Sequence, residues 1–264
     1  MHKAEFIAHR GSSYLAPENT LAALRLGWKE TRTCELDVRA TADGEVLVVH
    51  DETALRTTGI DLVVARHSRA ELQSLDAGAW KGAEWRGEIM PTLAEVLAAM
   101  PEGKRLLVEV KGGPAIVPEL ARVIEASGRA ADVGVMAFDV ATCAQAKAAL
   151  PGVPVYLLAW LGRSRREAAK AWPKALATTR ERGLDGLGIN NAPVLNERVL
   201  AELHEAKLRL NVWTVDHAAA AKRLARLGVD GIITNRPGWL KSHVEARRRS
   251  PARKGRVVLP RRRP

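Results

Sequence analysis

The chain has 264 residues, 47% of them hydrophobic, with a net charge of +11 and two cysteines. That length suits one large core, and no window holds the uninterrupted apolar run needed to cross a bilayer. Cys34 and Cys143 each sit in an apolar stretch without a CxxC partner, which excludes a disulfide framework and a structural zinc site.

The first strand begins almost at once and leaves no room for a signal peptide's apolar region, so with reduced thiols a cytoplasmic location is expected. The charge is uneven: residues 241–264 carry ten Lys or Arg against one acid, Glu245, and so hold +9 of the +11. That stretch, with Pro251, Pro260 and Pro264 and few apolar residues, is expected to be a disordered tail. It reads either as a solubilising end or as an electrostatic tether to nucleic acid or anionic membrane.

In chain order, Phe6-Ile-Ala-His-Arg-Gly11 is a short apolar strand, 5–9, that runs into an imidazole and a guanidinium, groups suited to protons and anions. Pro17 and Asn19 open a helical pattern through Trp28, with Asn19 or Thr20 able to cap the free amides. In strand 33–38, Cys34, Leu36 and Val38 share one side-chain parity, and Glu35 and Asp37 share the other. The two carboxylates then lie roughly 6.6 Å apart along one face. A turn at Thr41-Ala-Asp-Gly44 leads into an apolar strand, 45–50, that ends at His50-Asp51. Such a hairpin brings His50 back over the carboxylates, with Asp51 placed to orient it.

Residues 51–91 show little periodicity and read as an inserted loop region with one short helix near 69–75. From Thr92 the chain alternates: helices at 92–99, 115–126, 139–149, 164–182, 194–206 and 216–227, and strands at 105–111, 132–137, 153–158, 184–189, 208–214 and 229–234. Strand 105–111 repeats the acidic design, with Leu107, Glu109 and Lys111 on one face. Three acids on two buried strands form an oxygen-donor site for one hard cation, Mg²⁺ or Ca²⁺.

Eight strand–helix units predict an α/β chain folded as a (β/α)₈ TIM barrel over 1–240, with its site at the carboxyl ends of the strands. A doubly wound sheet is the alternative, but no GxGxxG or GxxxxGK[ST] follows the first strand. Trp28, Trp160 and Trp172 are assigned to packing; His67, His204, His217 and His243 are taken as surface or core residues.

His9-Arg-Gly, Ala16-Pro-Glu-Asn-Thr20, Glu35-Leu-Asp37, Thr41-Ala-Asp-Gly44, Val48-Val-His-Asp51, Arg56-Thr-Thr58, Met90-Pro-Thr-Leu-Ala-Glu-Val-Leu97, Glu109-Val-Lys111, Trp213-Thr214 and Asp230-Gly-Ile-Ile-Thr-Asn235 with Pro237 occur in one order. Together they resemble the glycerophosphodiester phosphodiesterase family from about residue 5 to 240. The resemblance implies His9 and His50 as general acid and base in either order, and Glu18 and Asn19 as supports for Arg10 or the ligand shell. It places Trp213 at the substrate wall. Arg10 and Lys111 suit a phosphate, and Glu35, Asp37 and Glu109 its cation. The implied products are glycerol 3-phosphate and an alcohol that no residue names.

Two other readings stand beside it. A phospholipase-type relative acting on lysolipids or forming a cyclic phosphate would need an exposed apolar rim, and residues 51–91 are neither long nor very apolar. A non-catalytic basic anchoring protein would have lost acids or histidines from the motifs, and none is lost.

Overall fold

A computed structural model of the chain describes residues 4–245, so the expected tail at 241–264 lies outside the described residues from 246 onward. The strands are β1 (Glu5–Ala8), β2 (Thr33–Ala40), β3 (Val46–Val48), β4 (Arg105–Val110), β5 (Val133–Ala137), β6 (Val155–Ala159), β7 (Gly186–Asn190), β8 (Arg209–Trp213) and β9 (Gly231–Thr234). All except β3 pair in parallel, and β1 bonds both β2 and β9, so the sheet closes into the eight-stranded barrel that the repeat predicts. β3 folds back antiparallel on the upper half of β2, with Val48 opposite Val38.

The helices are α1 (Leu21–Glu30), α2 (Leu55–Thr58), α3 (Arg69–Gln73), α4 (Leu93–Ala99), α5 (Val117–Ala126), α6 (Val140–Ala149), α7 (Arg165–Glu181), α8 (Glu197–Glu205), α9 (Ala218–Leu227) and α10 (Pro237–Glu245). Their starts follow sequence chemistry. Thr20 accepts the Ala23 N–H at the head of α1, and Thr92 with Glu95 and Ser164 with Glu167 form reciprocal capping boxes on α4 and α7. Asn19, the other candidate cap, is turned elsewhere in a left-handed conformation at φ 61°.

Parity decides what each strand buries. Outward residues such as Leu36, Val108 and Val135 join the core beneath the helices, while Ile7, Leu107, Met136, Tyr156, Leu158 and Ile233 fill the barrel interior. The loop after β1 packs directly on α1. At Gly11, with φ 77°, an added Cβ would lie 2.3 Å from the carbonyl carbon of Ala23, so no other residue fits.

Two segments differ from expectation. Residues 51–91 are more ordered than a loop with one helix: one 3₁₀ turn joins α2 to α3 and a second follows α3, and Ala54, Val64, Leu72, Ala77 and Met90 make a small core with Leu47 and Val49. The region also exposes Leu55, Ile60, Trp80 and Ile89, more apolar surface than its composition suggested. At the other end, α10 continues to Glu245, past the expected boundary at 240, because Leu240 is buried and Val244 packs against the same core. Among the described residues no helix is long and apolar enough to cross a membrane.

Candidate active site

β1 is only four residues long, so the chain turns at once and delivers His9 and Arg10 to the barrel mouth. Arg10 takes the left-handed conformation, φ 55°, which points its backbone N–H at Glu35 Oε2, 2.8 Å away. For a non-glycine residue this geometry costs of order 1–3 kcal/mol and is kept where surrounding contacts over-determine it. The contacts here are ionic. The Arg10 side chain reaches Glu18 at 2.7 Å and Asp37 at 3.0 Å.

Glu35 and Asp37 face the barrel interior from β2, and Glu109 joins them from β4, where it stands beside Asp37 in parallel register. One carboxylate oxygen from each lies within 4.8 Å of the others, and all three residues are buried. Asn19 holds Asp37 from both sides: its amide N–H donates to Asp37 Oδ2 at 3.0 Å, and its oxygen accepts the Asp37 backbone N–H at 3.2 Å. Lys111 approaches Asp37 at 3.2 Å and makes a short contact with Glu109.

The three acids do not share one electrostatic fate. Burial raises all of them, but at Asp37 the charges of Arg10 and Lys111 prevail and hold the carboxyl at about 2. Burial, then repulsion from Asp37, pushes Glu109 up to about 7. Glu35 is driven well above the usual carboxylate range by burial and by both acidic neighbours. Its Oε1 is buried without a hydrogen-bond partner, an arrangement that costs stability unless a further positive group meets it. Three convergent oxygen donors, with Glu35 Oε1 orphaned and Asp37 Oδ1 met only by the Lys111 ion pair, fit a hard divalent cation and not a thiolate-seeking metal.

The two histidines flank this cluster and are held differently. His9 Nδ1 lies 2.7 Å from the amide oxygen of Asn235, at the end of β9, and its Nε2 lies 3.9 Å from Glu35. His50, returned by the β3 hairpin as expected, lies 2.6 Å through Nδ1 from the Asp51 carboxylate. Arg39 donates to the His50 carbonyl at 2.8 Å and fixes the backbone there. Arg56 then ties Asp51, at 2.5 Å, to Glu18, at 2.8 Å, so an unbroken ionic chain runs from His50 to Arg10. Both imidazoles sit below the ordinary histidine value, burial being the largest cause in each.

His9, Arg10, Glu35, His50, Glu109 and Lys111 border one cleft of about 230 Å³, whose other wall is Met136, Phe138, Leu158, Trp213 and Ile233. One half is charged and the other apolar. Trp213 reaches this wall, with Phe138 edge-on at 5.7 Å and Trp160 at 6.0 Å. The assignment of Trp160 to packing is corrected here: 52% exposed, it stands just beyond the end of β6 beside Trp213, whereas Trp28 and Trp172 are buried.

Of the site residues named from the sequence, His9, Arg10, Glu35, His50, Glu109, Lys111 and Trp213 line this cleft, while Asp37 and Glu18 stand behind it on Arg10, Asn19 on Asp37 and Asp51 on His50. Phe138, Arg56, Asn235 and Asp216 went unassigned. The second and third stood inside recognised motifs, and only their contacts reveal a use; Phe138 and Asp216 lie on loops without periodicity.

Residues 9–239 match the model of the Glycerophosphoryl diester phosphodiesterase family. A glycerophosphodiester phosphodiesterase of Caldanaerobacter subterraneus subsp. tengcongensis is 33% identical over 244 residues, 90% of this chain and 96% of that protein. A solved structure of an Oleispira antarctica phosphodiesterase in complex with the product sn-glycerol-3-phosphate is 27% identical, with 92% and 97% of the two chains covered and a TM-score of 0.79. One of an Agrobacterium tumefaciens glycerophosphodiester phosphodiesterase is 26% identical, with 90% and 99% covered and a TM-score of 0.77. With the motifs, the closed barrel and the acid–histidine cleft in agreement, the chain belongs to the glycerophosphoryl diester phosphodiesterase family.

Proposed function

We propose that this protein hydrolyses glycerophosphodiesters to glycerol 3-phosphate and an alcohol, using one divalent cation, Mg²⁺ or Ca²⁺, held by Glu35, Asp37 and Glu109. The observation that carries this reading is the orphaned Glu35 Oε1 within a buried three-acid cluster, flanked by Arg10, Lys111 and two histidines in one cleft. The bound cation supplies Lewis-acid polarisation of the phosphate. Arg10 and Lys111 neutralise the remaining phosphate charge and orient it between the imidazoles.

The partners of the histidines divide the proton work. A carboxylate beside an imidazole favours its protonated form more than a neutral amide does, and of an acid and base pair the acid must be the group that keeps its proton. His9, on Asn235, then takes the proton from the attacking oxygen as the new P–O bond forms. His50, on Asp51, gives its proton to the alkoxide as the P–O bond to the alcohol breaks.

The Oleispira relative's product, sn-glycerol-3-phosphate, supports the substrate class. The apolar wall favours a second reading, a phospholipase-type reaction on lysolipids, since Phe138 (48% exposed) and Trp160 supply a rim at the cleft mouth. The basic stretch at 246–264 is proposed as a tether to nucleic acid or anionic lipid, and the reduced, buried cysteines favour a cytoplasmic setting.

A substrate panel tests these readings together: glycerophosphocholine, glycerophosphoethanolamine, glycerophosphoinositol and lysophosphatidylcholine, each with chelator, Mg²⁺ or Ca²⁺. The expected result is release of glycerol 3-phosphate from the water-soluble diesters, abolished by chelator and restored by one cation. Full turnover in chelator would sink the metal reading. A kcat/KM higher for the lysolipid than for every soluble diester would replace the first substrate class with the second.

A further inference from the structure

We infer that Asn235, fixed by Asp216, is a positioning residue that locks His9 in its Nδ1–H tautomer and leaves Nε2 as the proton-accepting atom. The inference rests on the reading of His9 as the base, and extends it to two residues outside the cleft lining. Its starting point is the orientation of an amide.

Asp216, on the loop between β8 and α9, is surrounded by donors. Its Oδ1 accepts the Thr234 hydroxyl and the Asn235 backbone N–H, both at 2.8 Å. Its Oδ2 lies 2.6 Å from the side-chain nitrogen of Asn235. Were the amide turned over, its oxygen would face a carboxylate oxygen at that distance, two acceptors with no proton between them. The carboxylate therefore dictates which end of the amide it meets. The opposite end, Oδ1, is left facing Ser13 Oγ at 2.9 Å and His9 Nδ1 at 2.7 Å.

An amide oxygen can only accept, so the proton in the His9 contact belongs to Nδ1. In a neutral imidazole the other nitrogen then carries the lone pair. That atom, Nε2, is the one on the Glu35 side of the ring, 3.9 Å from Oε2 and beyond hydrogen-bond reach of it. The contrast with His50 is chemical: there a carboxylate meets Nδ1 and favours the charged ring, whereas at His9 a neutral amide sets the tautomer without adding a charge.

The test uses full-length protein with ¹⁵N-labelled histidine at a pH where the His9 ring is neutral, its resonance assigned by its loss in His9→Gln. Protonated and bare ring nitrogens resonate in separate regions, so the tautomer is read without any assay. The wild type should show protonated Nδ1. Asp216→Asn keeps an Oδ1 acceptor for Thr234 and the backbone but lets the amide turn over; Asn235→Leu removes the acceptor.

Either variant should shift His9 toward the Nε2–H form and lower kcat by about 10²-fold, within the range that one general base contributes, with KM changed only a few-fold. The double variant D216N/N235D restores an acceptor facing His9 and should return the Nδ1–H tautomer of the neutral ring, which a folding defect would not do, while its carboxylate favours the charged ring and moves the kcat–pH profile to higher pH. Wild-type His9 with protonated Nε2, or single variants that keep Nδ1–H, would overturn the lock. A tautomer that switches while kcat holds would confirm the lock and remove His9 from the role of base.

Discussion

Glu109 is the acid whose state is most open to change. Asp37 is committed to its charge by Arg10 and Lys111, and Glu35 is fully buried beside both other acids, but Glu109, at about 7, sits near neutrality with Lys111 against it. Two cations opposite three carboxylates leave one negative charge in excess, and the structure tolerates it by raising two of the acids. Glu109→Gln removes that surplus while keeping shape and one acceptor oxygen. It should weaken Mg²⁺ or Ca²⁺ binding at least tenfold in calorimetry, yet leave the melting temperature of the chelated protein equal to or above the wild type's. A variant that binds cation normally would take Glu109 out of the site. His50→Ala separates a different function: it should lose about 10² to 10⁴ in kcat on a choline diester and recover selectively on an aryl diester whose leaving group needs no proton. Equal losses on both substrates would take away its role as acid.

At the scale of elements, the site depends on β1 being short and on the turn that follows it. Gly11 donates its N–H to the Glu35 carbonyl at 3.2 Å and lets α1 lie against the loop, so the spacing of His9, Arg10 and Glu35 is set by one residue. Gly11→Ala combines a left-handed φ with a backbone clash and should cost about 2–5 kcal/mol, read as an equilibrium denaturation midpoint lowered without change in slope. Full stability in that variant would show that α1 can move away freely. The same elements explain what could be read beforehand. Strand parity is written in the sequence, so Glu35, Asp37 and Glu109 could be put on one surface, and the Thr41–Gly44 turn put His50 above them. Trp160 and Asp216 lie on loops, where no period says which way a side chain points, and the ionic chain from Asp51 through Arg56 to Glu18 joins segments 38 residues apart. The last helix passes residue 240 for a related reason: Lys241 begins the basic run in composition, but Leu240 and Val244 still follow the helical period that packs α10 onto the barrel.

For the whole molecule, charge and chemistry occupy different places. Residues 246–264 hold nine Lys or Arg and no acid, so they carry +9 while the rest of the chain carries +2. Arg10 and Lys111, the proposed phosphate ligands, are already paired with acids inside the cleft, and salt screens exposed charges that lie more than a Debye length apart. A chain ending at Glu245 should therefore retain kcat and KM for a soluble glycerophosphodiester, while its retention on heparin or anionic vesicles falls and loses most of its salt dependence. A chain ending at Lys241 is a different experiment, because it removes the Val244 contact with the core and the His243 ring stacked 4.1 Å from Trp239. That shorter chain should lose about 1–3 kcal/mol of stability, the range for trimmed packing, and show the same charge-dependent loss of retention as the longer one. If the chain ending at Glu245 keeps its fold but loses turnover of the soluble substrate, the basic segment acts at the cleft. If instead it keeps full retention at every salt concentration, polyanion binding belongs to the barrel and the tether is not in the tail.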